Sequence, residues 1–365
     1  MERMEVTETF AGISLPGHLH TQESLGFAAT FPFRPTDVVI ATYPKSGTTW
    51  MQEILTLLFS RGDVLPAKTI PNWERAPWLE QIYFRDALQD TAARRLITTH
   101  LPARILAPAL QQSKAKVIYV ARNPKDVAVS FYHFHRLAKF LPDPGSFDTF
   151  LTRFLEGTVH YGSWFDHVKG WLGQRQLLDI FYVTYEELHQ DLRGTAQRLG
   201  AFLGCPLGPE TLGALEQHCS FVAMRDNAMA NYSLIPSEIM DHSQGCFMRK
   251  GGDGRRGAAA VLAHGLRGRP GWGGGASGAR PCCCTTRPAP PPPPNPTAGG
   301  GGTLCAEPPA PPRNLYTPVH RPGGAGAGGG GQQLHDTPPG PGNFTGRTLR
   351  PSPWPSFPCG RGAWP

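Results

Sequence analysis

Apolar and polar positions along this chain follow two different periods. Four short runs rich in β-forming residues read as strands: 37–43 (DVVIATY), 95–99 (RLITT), 116–121 (KVIYVA) and 180–184 (IFYVT). The third, 116–121, is largely apolar, as expected of a strand covered on both faces. Between them the period lengthens. Over 48–59, Trp50, Met51, Ile54, Leu55, Leu57 and Leu58 recur at helical spacing, and 126–140, 195–203 and 209–218 read as further helices. Strands alternating with helices predict an α/β fold of three layers with a mostly parallel central sheet.

The junction between the first strand and the first helix is where chemistry enters. Residues 42–50 read Thr-Tyr-Pro-Lys-Ser-Gly-Thr-Thr-Trp. Pro44 ends the strand and Gly47 permits a tight turn. The backbone N–H groups of Ser46 to Thr49 can point at an anion, and the following helix adds a partial positive charge. Thr48 and Thr49 bring hydroxyl donors, and Lys45 brings a mobile cation. The segment is a P-loop-like phosphate-binding strand-loop-helix. It departs from the GxxxxGK[ST] order, because Lys45 precedes Gly47 instead of following it. A helix capped by Ser or Thr, beside an incidental Lys, has the same pattern. His100 follows the second strand in TTHLP, as either a proton acceptor near neutral pH or a satisfied structural residue. Arg122 and Ser130 span a strand end and the first turns of a helix, a spacing that lets both close on one phosphate.

Composition divides the chain near Gly251. Of 43 Gly, 26 lie beyond it, as do 23 of 38 Pro. That stretch has no Lys, no Ile, three acids and 11 Arg. So few large apolar residues cannot offset the entropy of ordering, and 252–365 reads as a disordered tail. The tail carries a net charge of +8, so the excess of +7 in the whole chain belongs to it and residues 1–251 sum to −1. The basic balance therefore gives no argument that the folded part binds nucleic acid or membrane. Cys205, Cys219 and Cys246 are isolated in the folded part and show neither zinc spacing nor a disulfide framework. The N-terminus MERMEVTETFAG has no apolar signal core, and no run of about 18 apolar residues occurs. A cytoplasmic chain with reduced thiols is expected.

TYPKSGTTW resembles the 5′-phosphosulfate loop of the cytosolic sulfotransferases. VIYVARNPKDVAVSFYHFH (117–135) resembles that family's 3′-phosphate segment, and FYVTYEEL (181–188) its adenine-side strand. HCSFVAMRDNAMANYS (218–233) and FMRKG (247–251) are similar to two further donor-binding segments. NWERAPWLE (72–80) is nearer to the hydroxysteroid branch than to the phenol branch, and Thr98 stands where some relatives have a Lys.

The resemblance implies a sulfotransferase that moves the sulfuryl group of 3′-phosphoadenosine 5′-phosphosulfate to a hydroxyl of a small apolar acceptor, a steroid or another alcohol or phenol. It implies no metal. Lys45 would stabilise the leaving phosphate, and His100 would be the base. Ser46, Gly47, Thr48 and Thr49 would cradle the 5′-phosphate, and Trp50 would stack on adenine. Arg122 and Ser130, with Arg249, Lys250 and Gly251, would hold the 3′-phosphate. Tyr185 and Phe221 would flank adenine, and Met224, Phe247 and Met248 fall in the donor segments. Cys219 stands where relatives often carry Thr, and a thiol is a weaker donor. Phe10, Trp73, Trp78, Phe134, His135 and Tyr232 are candidate acceptor linings, or ordinary core.

The resemblance stops near Gly251. The Gly-Asp-Trp and the Lys-x-x-x-Thr-Val-x-x-x-Glu dimer motif of relatives are missing, so the basis for the family's homodimer is absent. A sulfotransferase domain over 1–251, incomplete at its C-terminal end, and a Gly/Pro/Arg-rich tail read from a non-native frame are expected. A missing lid would weaken donor binding. A catalytically impaired isoform that only binds nucleotide is therefore the alternative. A phosphate-loop kinase is disfavoured by the order of Lys45 and Gly47.

Overall fold

A computed structural model describes residues 3–89 and 94–249. The proposed tail, with Lys250 and Gly251, lies outside the described residues. An N-terminal hairpin pairs β1 (Thr7–Phe10) with β2 (Ile13–Pro16). Its turn places Ala11 and Gly12 at φ 47° and 75°, the left-handed pair that tight hairpins use. The four predicted strands follow as β3 (Val38–Thr42), β4 (Leu96–Thr99), β5 (Lys116–Ala121) and β6 (Ile180–Thr184). They form one sheet in the order β4-β3-β5-β6, with every pairing parallel.

Successive residues of a strand point to opposite faces, and here both faces are buried. Val39, Ala41, Val117 and Tyr119 pack on one side with helices Ala103–Ser113, Pro124–Leu137, Phe147–Glu156 and Trp164–Leu172. Val38, Ile40, Ile118, Val120 and Val183 pack on the other with Thr48–Phe59, Leu192–Leu203 and Pro209–His218. The three-layer expectation holds, and helices 48–59 and 209–218 keep their predicted bounds. The expected helix 126–140 instead spans Pro124–Leu137. Proline suits the first helical position, and the Asn123 side chain accepts from Lys125 N–H at 3.0 Å. Its end comes early because Ala138 turns to extended backbone and bridges Met240. The helix expected from 195 begins at Leu192, where Asp191 accepts from Gly194 N–H at 2.8 Å.

One buried ion pair aligns the starts of β3 and β4. Asp37 and Arg95 are both buried. Arg95 donates Nε–H to Asp37 Oδ1 at 2.9 Å and Nη2–H to Oδ2 at 2.5 Å. Its remaining donors reach the carbonyls of Leu88 and Pro32. Breaking such a pair from one side leaves an uncompensated buried charge. Asp37→Ala is expected to lower stability by about 3–5 kcal/mol, read in a urea melt. Replacing both residues by apolar ones of similar volume should recover much of that loss.

Candidate active site at the carboxyl edge of the sheet

The strands run the same way, so their carboxyl ends share one edge, where open α/β sheets bind ligands. The segment 43–50 leaves that edge after β3, His100 after β4, Arg122 after β5 and Tyr185 after β6. A cavity of about 790 Å³ opens among them, a volume typical of small-molecule sites.

The loop after β3 is bent by two left-handed residues, Lys45 at φ 67° and Gly47 at φ 106°. Only glycine suits the second position. A Cβ there would lie 2.9 Å from Tyr185 Cδ2, besides the backbone cost of φ 106°. No side chain caps the helix that follows, so the first-turn N–H groups, which have no intrahelical partners, form an anion site. Ser46 Oγ, Trp50 Nε1 and Arg122 Nε are buried without hydrogen-bond partners among the described residues. Of these, Trp50 and Arg122 line the cavity, where two unpartnered donors fit a polar ligand.

Cations gather at this loop. Arg122 donates Nη1–H to the Lys45 carbonyl at 3.0 Å and lies 4.2 Å from the centre of the Tyr185 ring. Trp50 meets the same ring edge-on at 5.2 Å. The Lys45 ammonium sits 4.3 Å from the Phe134 ring centre and 4.0 Å from that of Phe247. Burial pushes Lys45 down to about 7, and the neighbouring Arg122 and Arg249 add to the effect. A cation held so near deprotonation, among other cations, is a site built to receive negative charge.

His100 is fixed from several sides. A carbonyl oxygen can only accept, so the 2.7 Å contact from His100 Nδ1 to the Thr42 carbonyl puts the proton on Nδ1 and leaves the lone pair on Nε2. Thr42 Oγ1 lies 3.1 Å from Nδ1 and 2.7 Å from Thr48 Oγ1, tying His100 to the loop after β3. Trp78 and Tyr161 pack on the imidazole at 4.6 and 5.4 Å between ring centres. Burial pushes His100 down to about 3, opposed by the Thr42 carbonyl and assisted by His167, His20 and Lys45. The imidazole is neutral at pH 7, the form a proton acceptor requires.

Of the residues singled out by sequence, Lys45, Gly47, Thr48, Thr49, Trp50, His100, Arg122, Ser130, Tyr185, Cys219, Phe221, Met224, Phe247, Met248 and Arg249 line this one cavity. Ser46 does not line it; the residue is buried behind the loop. Among the acceptor candidates, Trp78, Phe134 and Tyr232 line it, whereas Phe10, Trp73 and His135 do not. Trp73 is buried against Tyr232 at 5.3 Å. His135 donates Nδ1–H to the Phe131 carbonyl at 3.0 Å and faces a separate cavity of about 160 Å³. Phe10 packs on the main core. Leu19, Gln81, Phe140, Leu141, Tyr161 and Met240 also line the large cavity. They come from segments far apart in the chain, and no local pattern marks them.

Among the described residues no helix is long and apolar enough to cross a membrane. A sulfotransferase domain model matches residues 35–256. Sulfotransferase 2B1 of Homo sapiens is 48% identical over 243 residues, covering 66% of this chain and 67% of that protein. Sulfotransferase 1A1 of Bos taurus is 45% identical over 237 residues, covering 63% and 79% respectively. The crystal structure of mouse sulfotransferase SULT7A1 complexed with PAP matches with a TM-score of 0.56 and 29% identity, over 72% of this chain and 94% of its own. Retinol dehydratase, solved with androsterone and PAP, matches with a TM-score of 0.58 over 72% of this chain and 89% of its own, but at 23% identity that likeness shows the fold alone. The domain match spans all four parallel strands, the loop between β3 and its helix, and the residues that carry the cations and His100: this chain belongs to the sulfotransferase family.

Proposed function

We infer that this chain is a sulfotransferase that takes the sulfuryl group of 3′-phosphoadenosine 5′-phosphosulfate and places it on a hydroxyl of a small apolar acceptor. The single observation that carries the reading is the convergence of Lys45, Arg122 and His100 on one cavity with an uncapped helix start. The donor carries phosphates at both ends of its ribose and a ring. The orphaned atoms of Arg122 and Trp50, both on the cavity wall, fit those groups. The loop 46–49 would hold the 5′-phosphate. Arg122 and Ser130, with Arg249, would hold the 3′-phosphate, and Trp50, Tyr185 and Phe221 the adenine.

In the reaction the acceptor oxygen forms a bond to sulfur as the bond from sulfur to the phosphate oxygen breaks. The products are the sulfated acceptor and 3′-phosphoadenosine 5′-phosphate. His100 Nε2 takes the hydroxyl proton, and Lys45 meets the charge that grows on the leaving oxygen. Much of the work is positioning, as in phosphoryl transfer. The apolar part of the cavity lining, with Leu19, Trp78, Phe140, Leu141 and Met240, favours a steroid-like or other apolar alcohol or phenol. Residues 1–251 are the proposed catalytic unit and the cytoplasm its proposed setting.

Purified protein incubated with labelled donor and a panel of steroid alcohols, simple alcohols and phenols should transfer label to at least one of them. Nucleotide binding without any turnover would overturn the reading. His100→Ala should lower kcat by about 10²–10⁴-fold while affinity for 3′-phosphoadenosine 5′-phosphate stays at the wild-type level in calorimetry.

Protonation of Lys45 yields a second expectation. The ammonium form attracts the anion, and Lys45 titrates at about 7 in the free site. Nucleotide affinity should therefore fall as pH rises from 7 to 9, by up to about tenfold per pH unit. The ligand's phosphates are already fully ionised in that window, since their second pKa is about 6. Binding should take up a proton, visible as buffer-dependent heat. Lys45→Arg, charged throughout, should flatten the dependence.

A further inference from the structure

Behind the cavity wall lies a carboxyl group that the reaction chemistry leaves unused. Glu80 is fully buried and does not line the large cavity. Its segment extends the sheet beyond β4. Trp78 pairs with Thr98 as a parallel bridge. Thr98 donates N–H to the Pro77 carbonyl at 2.9 Å, and Leu79 donates to the Thr98 carbonyl at 2.9 Å. This pairing carries Glu80 to the carboxyl end of β4, where the ladder stops.

His100 is the first residue past that end, so its N–H has left the ladder. Glu80 Oε1 accepts that N–H at 2.8 Å. The His100 carbonyl receives His167 Nε2–H at 3.2 Å, and Nδ1 of the ring is held by the Thr42 carbonyl at 2.7 Å. The imidazole is thus set from three directions, and Glu80 holds the peptide N–H on its N-terminal side. Glu80 Oε2 is buried without a hydrogen-bond partner among the described residues. A buried carboxyl is costly unless it is hydrogen-bonded; burial pushes this one up to about 7, opposed by the His100 N–H, the Thr99 hydroxyl and its own backbone N–H. Oε1 can accept from His100 in either protonation state.

We propose that Glu80 is a positioning residue for the transfer: it locks the His100 peptide, and so holds the imidazole Nε2 at the acceptor hydroxyl. This rests on His100 being the base. The role belongs to the acceptor oxygen of Glu80 and not to its charge, which separates three substitutions. Glu80→Leu removes the acceptor at similar volume. Glu80→Gln keeps it without charge. Glu80→Asp keeps the carboxyl but withdraws it by one methylene.

Steady-state kinetics with an acceptor found in the panel, calorimetry with 3′-phosphoadenosine 5′-phosphate, and thermal melts would be run on the full chain. Misplacement of a reacting group by about 1 Å can cost about 10²-fold. Glu80→Leu should lower kcat about 10–100-fold with unchanged nucleotide affinity and donor KM, whereas Glu80→Gln should keep most of the wild-type kcat. Adding Glu80→Leu to His100→Ala should cost nothing further, since the two act as one unit. If Glu80→Leu does not fold, Glu80→Asp decides, with reduced kcat and wild-type nucleotide affinity expected. Full kcat in Glu80→Leu or in Glu80→Asp would overturn the proposal. So would a Glu80→Gln as slow as Glu80→Leu, or a loss of kcat matched by equal losses of nucleotide affinity and melting temperature. Turnover that survives His100→Ala would also overturn it, and that result alone would strike the base assignment itself.

Discussion

Negative charge has to be held at one edge of a parallel sheet, and the rest of the molecule is arranged around that requirement. A helix start and a set of backbone N–H groups attract an anion only weakly when exposed to water. They become effective when desolvated and joined by side-chain cations. The sheet supplies both conditions. Its four strands end together, so residues from four distant stretches of chain meet around one cavity. Helices on both faces keep the strands dry and fix their register. The Asp37–Arg95 pair anchors β3 and β4 at the opposite end, so that the loop and His100 emerge side by side.

The same crowding explains the unusual protonation of the site. Lys45, Arg122 and Arg249 repel one another, and aromatic rings from Phe134 and Phe247 cover the ammonium. An anionic donor relieves that repulsion. The lowered basicity of His100 has a related origin, since Lys45 is among its neighbours. Arrival of negative charge therefore raises both groups together.

Much of this was legible in the chain because it is local. The loop 42–50 declares itself through short-range features: a broken strand, a glycine that must adopt positive φ, and clustered donors. Strands β3, β5 and β6 are apolar on both faces and stand out for that reason. Hairpin β1–β2 was hidden because its strands have four residues each and its Ala11-Gly12 turn lacks an Asn or Asp. Helix Ala103–Ser113 was hidden by the proline at 108, normally a helix breaker. The acceptor end was the least readable. Nothing in the sequence separates Trp78, which lines the cavity, from Trp73, which is buried beside it. The contact of Glu80 with His100 joins residues 20 positions apart through a bridge that only the folded sheet creates.

The central claim is that one cavity receives both phosphates of the donor nucleotide. A crystal structure of the full chain with 3′-phosphoadenosine 5′-phosphate tests it most directly. The account predicts the 5′-phosphate on the backbone of residues 46–49 beside Lys45, and the 3′-phosphate on Arg122 and Ser130. Phosphates bound on another face, or a nucleotide that touches neither Lys45 nor Arg122, would contradict it.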